Sequence, residues 1–253
     1  MSKNSIDLAN APIVEAVLDI DCDLPPSFDL GAIETPIRDA FRSKYPAFRT
    51  QFVEEHQFMS ESDGTPKMTS RRGIQALQLL KRSGKQLVQI RVQGFSFNRL
   101  APYSSLDKYL PEIERTWRSY VRLVQPVQIR HVRLRYINRI LLPYAGGKIE
   151  LDDYLKCGPR LPDEDELTFV GFLNQHSAVE LATGNQVNIV LAAQSPPADG
   201  TLPVILDIAA FKDGSIEPSD WAKLRTTIQS LRQLKNLVFK NSLTDKCLNL
   251  FQR

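Results

Sequence analysis

The 253-residue chain has few of the residues that build metal centres, disulfides and nucleophilic active sites. It contains three cysteines and three histidines, and none of them lies at the spacing of a metal-ligand pair or a disulfide framework. No Gly-x-Ser-x-Gly elbow, dinucleotide fingerprint or phosphate loop occurs, since the Gly146-Gly147-Lys148 tract lacks the rest of that motif. The sequence therefore predicts no metal and no cofactor, and it favours a non-enzyme while leaving an unfamiliar active site open.

Long hydrophobic runs are also missing. The apolar stretches are the length of strands, which is short of a membrane span, and the first ten residues contain no apolar run of the kind found in signal peptides. Unpaired cysteines are typical of a reducing compartment. We therefore expect a cytoplasmic protein that makes no membrane contact. Hydrophobic residues at 42% and charged residues at 24% indicate an ordinary folded chain with a sizeable core.

Acidic residues are absent from two long segments. Residues 64–106 carry eight lysines and arginines and no acid, and residues 115–139 carry seven arginines and no acid, whereas residues 1–63 carry twelve acids against five bases. Blocks of opposite charge either neutralise each other across a fold or face different partners. The sequence leaves both readings open.

Alternation of apolar and polar residues predicts most of the secondary structure. Residues 14–22 alternate as a strand, with Glu15, Asp19 and Asp21 on the face opposite Leu18 and Ile20. A helix is predicted through residues 30–41, and another begins after Ser104-Ser105. Further strands are predicted at residues 48–59, 72–82, 85–99, 127–142, 167–181, 186–194 and 203–211. A long helix capped by Ser219 or Asp220 follows, with Lys223, Lys235 and Lys240 on its solvated side.

Both halves of the chain thus run strand, helix or stub helix, three strands, helix. We expect an α+β fold in one structural domain, 1–253, made of two halves, 10–125 and 126–253. That element order is typical of TATA-binding-protein-like layouts, in which one curved antiparallel sheet carries helices on a single face. Two ferredoxin-like units side by side are the alternative. In the first layout the other sheet face is free for binding.

Four segments carry a resemblance to a known family. They are Leu8-Ala-Asn-Ala-Pro-Ile-Val-Glu-Ala16, Phe97-Asn-Arg-Leu-Ala-Pro-Tyr103, Arg135-Tyr-Ile-Asn-Arg-Ile140 and Leu243-Thr-Asp-Lys-Cys-Leu-Asn-Leu-Phe251. Together they resemble a sporadically distributed, functionally unassigned bacterial family with an N-terminal Ala-Pro-Ile-x-Glu-Ala motif. The resemblance implies a bacterial or phage protein from mobile or defence-type gene neighbourhoods. It implies no catalytic residues.

The segment from Arg130 to Ile140 is the main candidate for a binding surface. In a strand, Arg133, Arg135 and Arg139 share one face with His131, at steps of roughly 6–7 Å. Like charges in such a row repel unless an anion lies across them. That anion is either internal, from Glu15, Asp19, Asp21 or Asp207 on neighbouring strands, or external, as a phosphate or an acidic protein surface.

A second strip has similar chemistry. Gln89, Arg91 and Gln93 alternate with apolar residues, and the strip is predicted to continue through Phe95 and Phe97. Arginine, glutamine and aromatic side chains on an open strand face suit a protein interface or stacking on single-stranded nucleic acid. Alternatively, the loop near Pro102 covers the two phenylalanines.

These observations predict a non-catalytic binding or adaptor protein. The predicted partner-binding residues are Gln89, Arg91, Gln93, Arg133, Arg135 and Arg139, and the predicted partner is an acidic protein encoded nearby. The family resemblance adds the role of an antitoxin-like or sensor subunit of a defence-type system. Nucleic-acid binding by the same face is one alternative. A metal-dependent nuclease using Asp19 and Asp21 is another, although charge pairing explains these aspartates more simply.

Overall fold

The computed structural model describes residues 8–60, 66–144, 149–162, 167, 170–193 and 200–252. Within them the chain is an α+β protein with a nine-stranded antiparallel sheet and four α-helices. The elements of the first half are β1 (Ile13–Asp23), α1 (Glu34–Phe41), β2 (Ala47–Ser60), β3 (Pro66–Leu80), β4 (Gln86–Arg91), β5 (Gly94–Leu100) and α2 (Leu106–Val124). Those of the second half are β6 (Gln128–Pro143), β7 (Phe172–Val179), β8 (Gln186–Ala193), β9 (Thr201–Ile216), α3 (Trp221–Ser242) and α4 (Asp245–Leu248).

The strand order places the first strands of the two halves side by side. Across the sheet the order is β2-β3-β4-β5-β1-β6-β9-β8-β7, so β1 and β6 are neighbours at the junction. From that junction each half runs outward through its last strand and then its earlier ones, β5-β4-β3-β2 on one side and β9-β8-β7 on the other. The β1–β6 ladder therefore joins both halves into one continuous sheet.

One face of the sheet forms the hydrophobic core with the helices. Alternate residues of the central strands, such as Ile20, Leu134 and Leu206, are almost completely buried. They belong to one cluster with the apolar sides of α2 and α3, including Trp117 and Leu231. Burial of each large apolar side chain contributes roughly 1.5–3 kcal/mol, so the period-two alternation decides which face the helices cover.

The predicted strand at residues 85–99 is wrong in one respect. It is two strands, β4 and β5, joined by a two-residue turn at Val92-Gln93. The turn reverses the chain, so Phe95 and Phe97 lie on the helix-covered face and are buried, where Phe95 packs edge-on against Trp117 with ring centroids 5.6 Å apart. The hairpin predicted at Ser83-Gly84 exists, but its loop spans residues 81–85. Four strands, not three, therefore follow α1.

The start of α3 agrees with the capping residues in the sequence, whereas α1 begins at Glu34, inside the helix predicted for residues 30–41, after the non-capping Ile33. Asp220 caps α3 by accepting a hydrogen bond from the Lys223 backbone N–H at 2.9 Å. Ser105 occupies the N-cap position of α2, but its side chain makes no capping hydrogen bond. In the part of the chain that the structure describes, none of the helices combines the length and apolar character needed to cross a bilayer.

Gly94 fixes the approach of β1 to the β4–β5 turn. Its φ is +145°, and a Cβ atom at this position would lie 2.1 Å from the backbone oxygen of Ile20. The adjacent Cys22 N–H donates to the Gln93 oxygen at 2.8 Å. Only glycine allows this backbone-to-backbone contact.

We predict that Gly94→Ala lowers the free energy of unfolding by at least about 2 kcal/mol, because it combines a strained φ with a clash against backbone. Gly214→Ala is the matched control, since a Cβ there meets no atom within 4 Å, and its effect should stay within about 0.5 kcal/mol. Urea denaturation followed by circular dichroism measures both. Equal effects of the two substitutions would contradict this account of Gly94.

Candidate docking face of the sheet

Side chains of β6 divide between the two faces of the sheet as the sequence predicts. Val132, Leu134 and Tyr136 are buried in the core. Arg133 and Arg135 alternate with them and lie half-exposed on the opposite face, and Arg139 is exposed. We call this second face, on β4, β5, β1, β6, β9, β8 and β7, the open face. Among the described elements, the helices pack on the other side.

Asp19 of β1 is the centre of the charge pairs on the open face. It lies directly opposite Arg133 in the β1–β6 ladder and is 6% exposed. The Arg133 Nη2 and Nε atoms donate to its Oδ2 at 2.6 and 3.0 Å, and the Ser96 hydroxyl donates to its Oδ1 at 2.5 Å. Arg91 Nη2 lies 3.8 Å from the same carboxylate. A buried carboxylate requires partners of this kind, because an unpaired one is costly to desolvate.

Arg135 and Arg139 differ in their partners. Arg135 binds Asp207 of β9 in a bidentate fork, with Nε 2.9 Å from Oδ1 and Nη2 bonded to Oδ2. These hydrogen bonds raise the pKa of the Arg135 guanidinium above its ordinary value. Arg139, by contrast, has no ion pair or side-chain hydrogen bond with any residue that the structure describes. The sequence left open whether the counterions of this row are internal or external, and the structure places internal ones, Asp19 and Asp207, at Arg133 and Arg135.

In the Arg133–Asp19 and Arg135–Asp207 pairs the arginine is the outer, more exposed partner and the aspartate is the inner one. The side chain of Arg133 is 42% exposed and that of Asp19 8%, and the values are 38% for Arg135 and 14% for Asp207. Each guanidinium has five N–H donors and uses only some of them on its carboxylate. The remaining donors face solvent. Pairing thus removes most of the net charge while leaving an outer layer of hydrogen-bond donors.

The Gln89, Arg91 and Gln93 strip holds the sheet together more than it faces a partner. Gln89 is one member of an amide ladder across four strands, in which Gln78 Nε2 donates to Gln89 at 3.1 Å, Gln89 Nε2 to Asn98 at 3.2 Å and Asn98 Nδ2 to Glu15 at 2.9 Å. Gln93 lies in the β4–β5 turn, so it is not on a strand face.

Arg91 is also turned inward. Its Nη2 atom donates to Asp21 Oδ1 at 2.6 Å and to the Phe95 carbonyl at 3.2 Å. The side chain is 20% exposed, and its Nε is buried without a hydrogen-bond partner in the described residues. Arg91 therefore ties the β4–β5 hairpin to β1 and offers little to an external ligand.

Asp19 and Asp21 do not form an open carboxylate site. Both are occupied by guanidiniums, Asp19 by Arg133 and Asp21 by Arg91. No group of three or more histidine, cysteine, aspartate or glutamate side chains is close enough to hold a metal ion within the described ranges. His131 Nδ1 lies 2.6 Å from Asp213 Oδ1, which is a further cross-strand pair.

Apolar residues on the open face were missed by the sequence reasoning. Arg139 is paired across the sheet with Ile205, Ile205 with Ala192, and Ala192 with Leu173. Leu173 is 70% exposed, and Leu141, two residues beyond Arg139 on the same strand, is 47% exposed. The sequence did contain a signal for these residues. In the second-half strands, positions on the open face as well as on the core face carry apolar residues.

The comparisons with known proteins add nothing to this geometry: no family model and no curated protein matches the chain. The assignment of the open face therefore depends on its physical chemistry.

We predict that Arg133→Ala lowers the free energy of unfolding by about 1–3 kcal/mol, because it leaves the buried Asp19 carboxylate without its main partner. Arg139→Ala should change it by less than about 0.5 kcal/mol, since no described group loses an ion pair or a side-chain hydrogen bond. Chemical denaturation of the two variants at pH 7 separates these expectations. A larger loss at Arg139 than at Arg133 would show that the pairing has been assigned to the wrong residue.

Proposed function

We propose that the chain is a non-catalytic binding protein whose open face holds an acidic surface of a protein partner. The observation that carries the proposal is the layering of charge: the Arg133 and Arg135 guanidiniums lie above their carboxylates, and Arg139 has no ion-pair partner among the described residues. Carboxylates of a partner can accept the unused guanidinium N–H donors, and a guanidinium fork matches carboxylate geometry.

The apolar neighbours of Arg139 favour protein over nucleic acid. Leu141 is exposed two residues from it on β6, and Leu173 is exposed on the same face at β7; exposed apolar residues together with arginine are typical of protein interfaces. Nucleic-acid binding depends on an excess of positive charge on the protein surface that follows the phosphate backbone. On the open face the carboxylates of Asp19, Asp21, Asp207 and Asp213 offset most of the arginine charge.

A two-repeat layout supports the use of the open face for binding a partner. We propose that the two halves form a TATA-binding-protein-like arrangement, with β1 and β6 equivalent at the junction and β5 equivalent to β9. The observed strand order supports the proposal, since it runs outward in the same sense on both sides of that junction. The family resemblance extends the proposal to an adaptor or sensor subunit that binds a protein encoded nearby.

Arg139→Glu is the variant that tests the open face without disturbing its internal pairs. We expect it to weaken capture of the partner at least about tenfold, because it replaces a cation that has no ion-pair partner in the described part of the chain with an anion. Arg122→Glu is the matched control, since Arg122 is an exposed arginine on α2, away from the open face. The measurement is affinity capture from the native host, with mass spectrometry and nucleic-acid staining of the same eluate.

Two results would contradict the proposal. A captured protein that is retained equally by the Arg139→Glu and wild-type chains would place the interface elsewhere. Nucleic acid that elutes with the wild type and disappears with Arg139→Glu, with a steep dependence on salt, would favour the nucleic-acid alternative.

A further inference from the structure

A pocket lies on the helix-covered side of the sheet, where the entry to β1 meets the start of α2, β6 and α3. Its cavity volume is about 110 Å³, which is several times the space that one water molecule needs. One part of the lining is apolar and includes Leu8, Pro12 and Phe239. The other part contains Lys235 and several hydrogen-bonding groups.

Lys235 is the unusual residue of this pocket. It belongs to α3, is 8% exposed and lines the cavity. Its Nζ lies 4.0 Å from the ring centroid of Tyr136. Within the described ranges it has no carboxylate at ion-pair distance and no hydrogen-bond acceptor. Lysine is almost never buried without a partner, so the pocket contains an amine that lacks an anionic partner among the described residues.

Burial, together with the nearby Arg232 guanidinium, lowers the pKa of the Lys235 amine to about 7. The face of the Tyr136 ring acts the other way, because it attracts the ammonium form. An anion in the pocket would favour that form much more strongly.

The start of α2 adds further donors to the same cavity. Ser104, Ser105 and Leu106 line it, and the first N–H groups of this 19-residue helix receive no side-chain cap from Ser105. Uncapped helix starts carry partial positive charge and bind anions. This feature alone would not define a site, but here it faces the same space as an unpartnered buried lysine.

Two tyrosines supply one more donor. The hydroxyls of Tyr103 and Tyr136 are 2.7 Å apart, and both residues line the pocket. One proton lies between the two oxygens, so the other hydroxyl proton is available to a ligand. Burial raises the pKa of Tyr136 to about 12 and that of Tyr103 higher still, so both remain protonated at neutral pH.

We infer that this pocket binds a small organic carboxylate, with its charged group at Lys235 and the start of α2 and its apolar body against Leu8, Pro12 and Phe239. One unpaired ammonium matches a single negative charge. A phosphate dianion would leave charge uncompensated, because the other cation, Arg232, already binds both carboxylate oxygens of Asp107 at 2.8 and 2.9 Å. The apolar lining also requires a hydrocarbon body.

The experiment titrates the full-length chain with sodium benzoate, sodium hexanoate and inorganic phosphate by isothermal calorimetry at pH 6.5. We expect at least one carboxylate to bind with a dissociation constant of about 1 mM or tighter. Lys235→Met should weaken it at least about tenfold, and Lys240→Met, at an exposed position of the same helix, should not. Lys235→Met replaces a buried amine with an apolar chain, so its melting temperature should equal or exceed that of the wild type.

The pH dependence of binding provides a second readout. Because the carboxylate binds the ammonium form, its association constant should fall about tenfold per pH unit above pH 7, up to the pKa of the complex. The titratable and charged groups that face Lys235 from the neighbouring elements are Tyr103, Tyr136, Asp107 and Arg232, with Tyr109 beside them. Hydrogen bonds from Arg232 lower the pKa of Asp107, so it stays ionised throughout. Tyr109→Phe should keep the pH dependence, and Lys235→Met should abolish it.

Three results would overturn the inference. The first is that neither carboxylate binds the wild-type chain at concentrations up to about 10 mM. The second is that a carboxylate binds Lys235→Met as tightly as the wild type. The third is that phosphate alone binds, which would assign the pocket to a different anion. None of them bears on the open face, whose test uses Arg139.

Discussion

The pairing of β1 with β6 is the constraint on which the rest of the structure depends. It is the ladder that joins the two halves of the sheet, and it places Leu18 opposite Leu134 in the core and Asp19 opposite Arg133 on the open face. Because side chains alternate with a period of two, a slip by one residue would place Asp19 under the helices and Leu18 in water. Burial of the leucines and the ion pair therefore favour the same register.

Much of this arrangement could be read from the sequence, because it depends on short-range alternation. The two faces of β1 and β6 follow from the positions of charged residues along strands, and Asp19 and Asp207 were two of the four candidate internal counterions. What the sequence left open was whether those carboxylates reach the guanidiniums, since this depends on the order of strands in the sheet. Asp207 neighbours Arg135 only because β9, the last strand of the second half, lies beside β6.

The errors have local causes. The turn at Val92-Gln93 carries weak turn residues, and Gly94 follows rather than occupies it, so residues 85–99 resembled one long strand. Lys235 was grouped with the solvated lysines of α3 because lysine is usually exposed. Helical geometry gave the contrary signal: Lys235 follows the buried Leu231 by four residues and Ile228 by seven, which places it on the apolar stripe.

The same strand, β6, serves both the open face and the carboxylate pocket. Tyr136 and Asn138 line the pocket, while Arg135, Ile137 and Arg139 point to the opposite side. The Asn138 side chain is held by hydrogen bonds from Nδ2 to the carbonyls of Tyr136 and Leu206 at 3.3 and 2.9 Å. The odd-numbered side chains of β6 on the open face can therefore be changed without altering the pocket lining. The two surfaces are separable by mutation although they are one strand thickness apart.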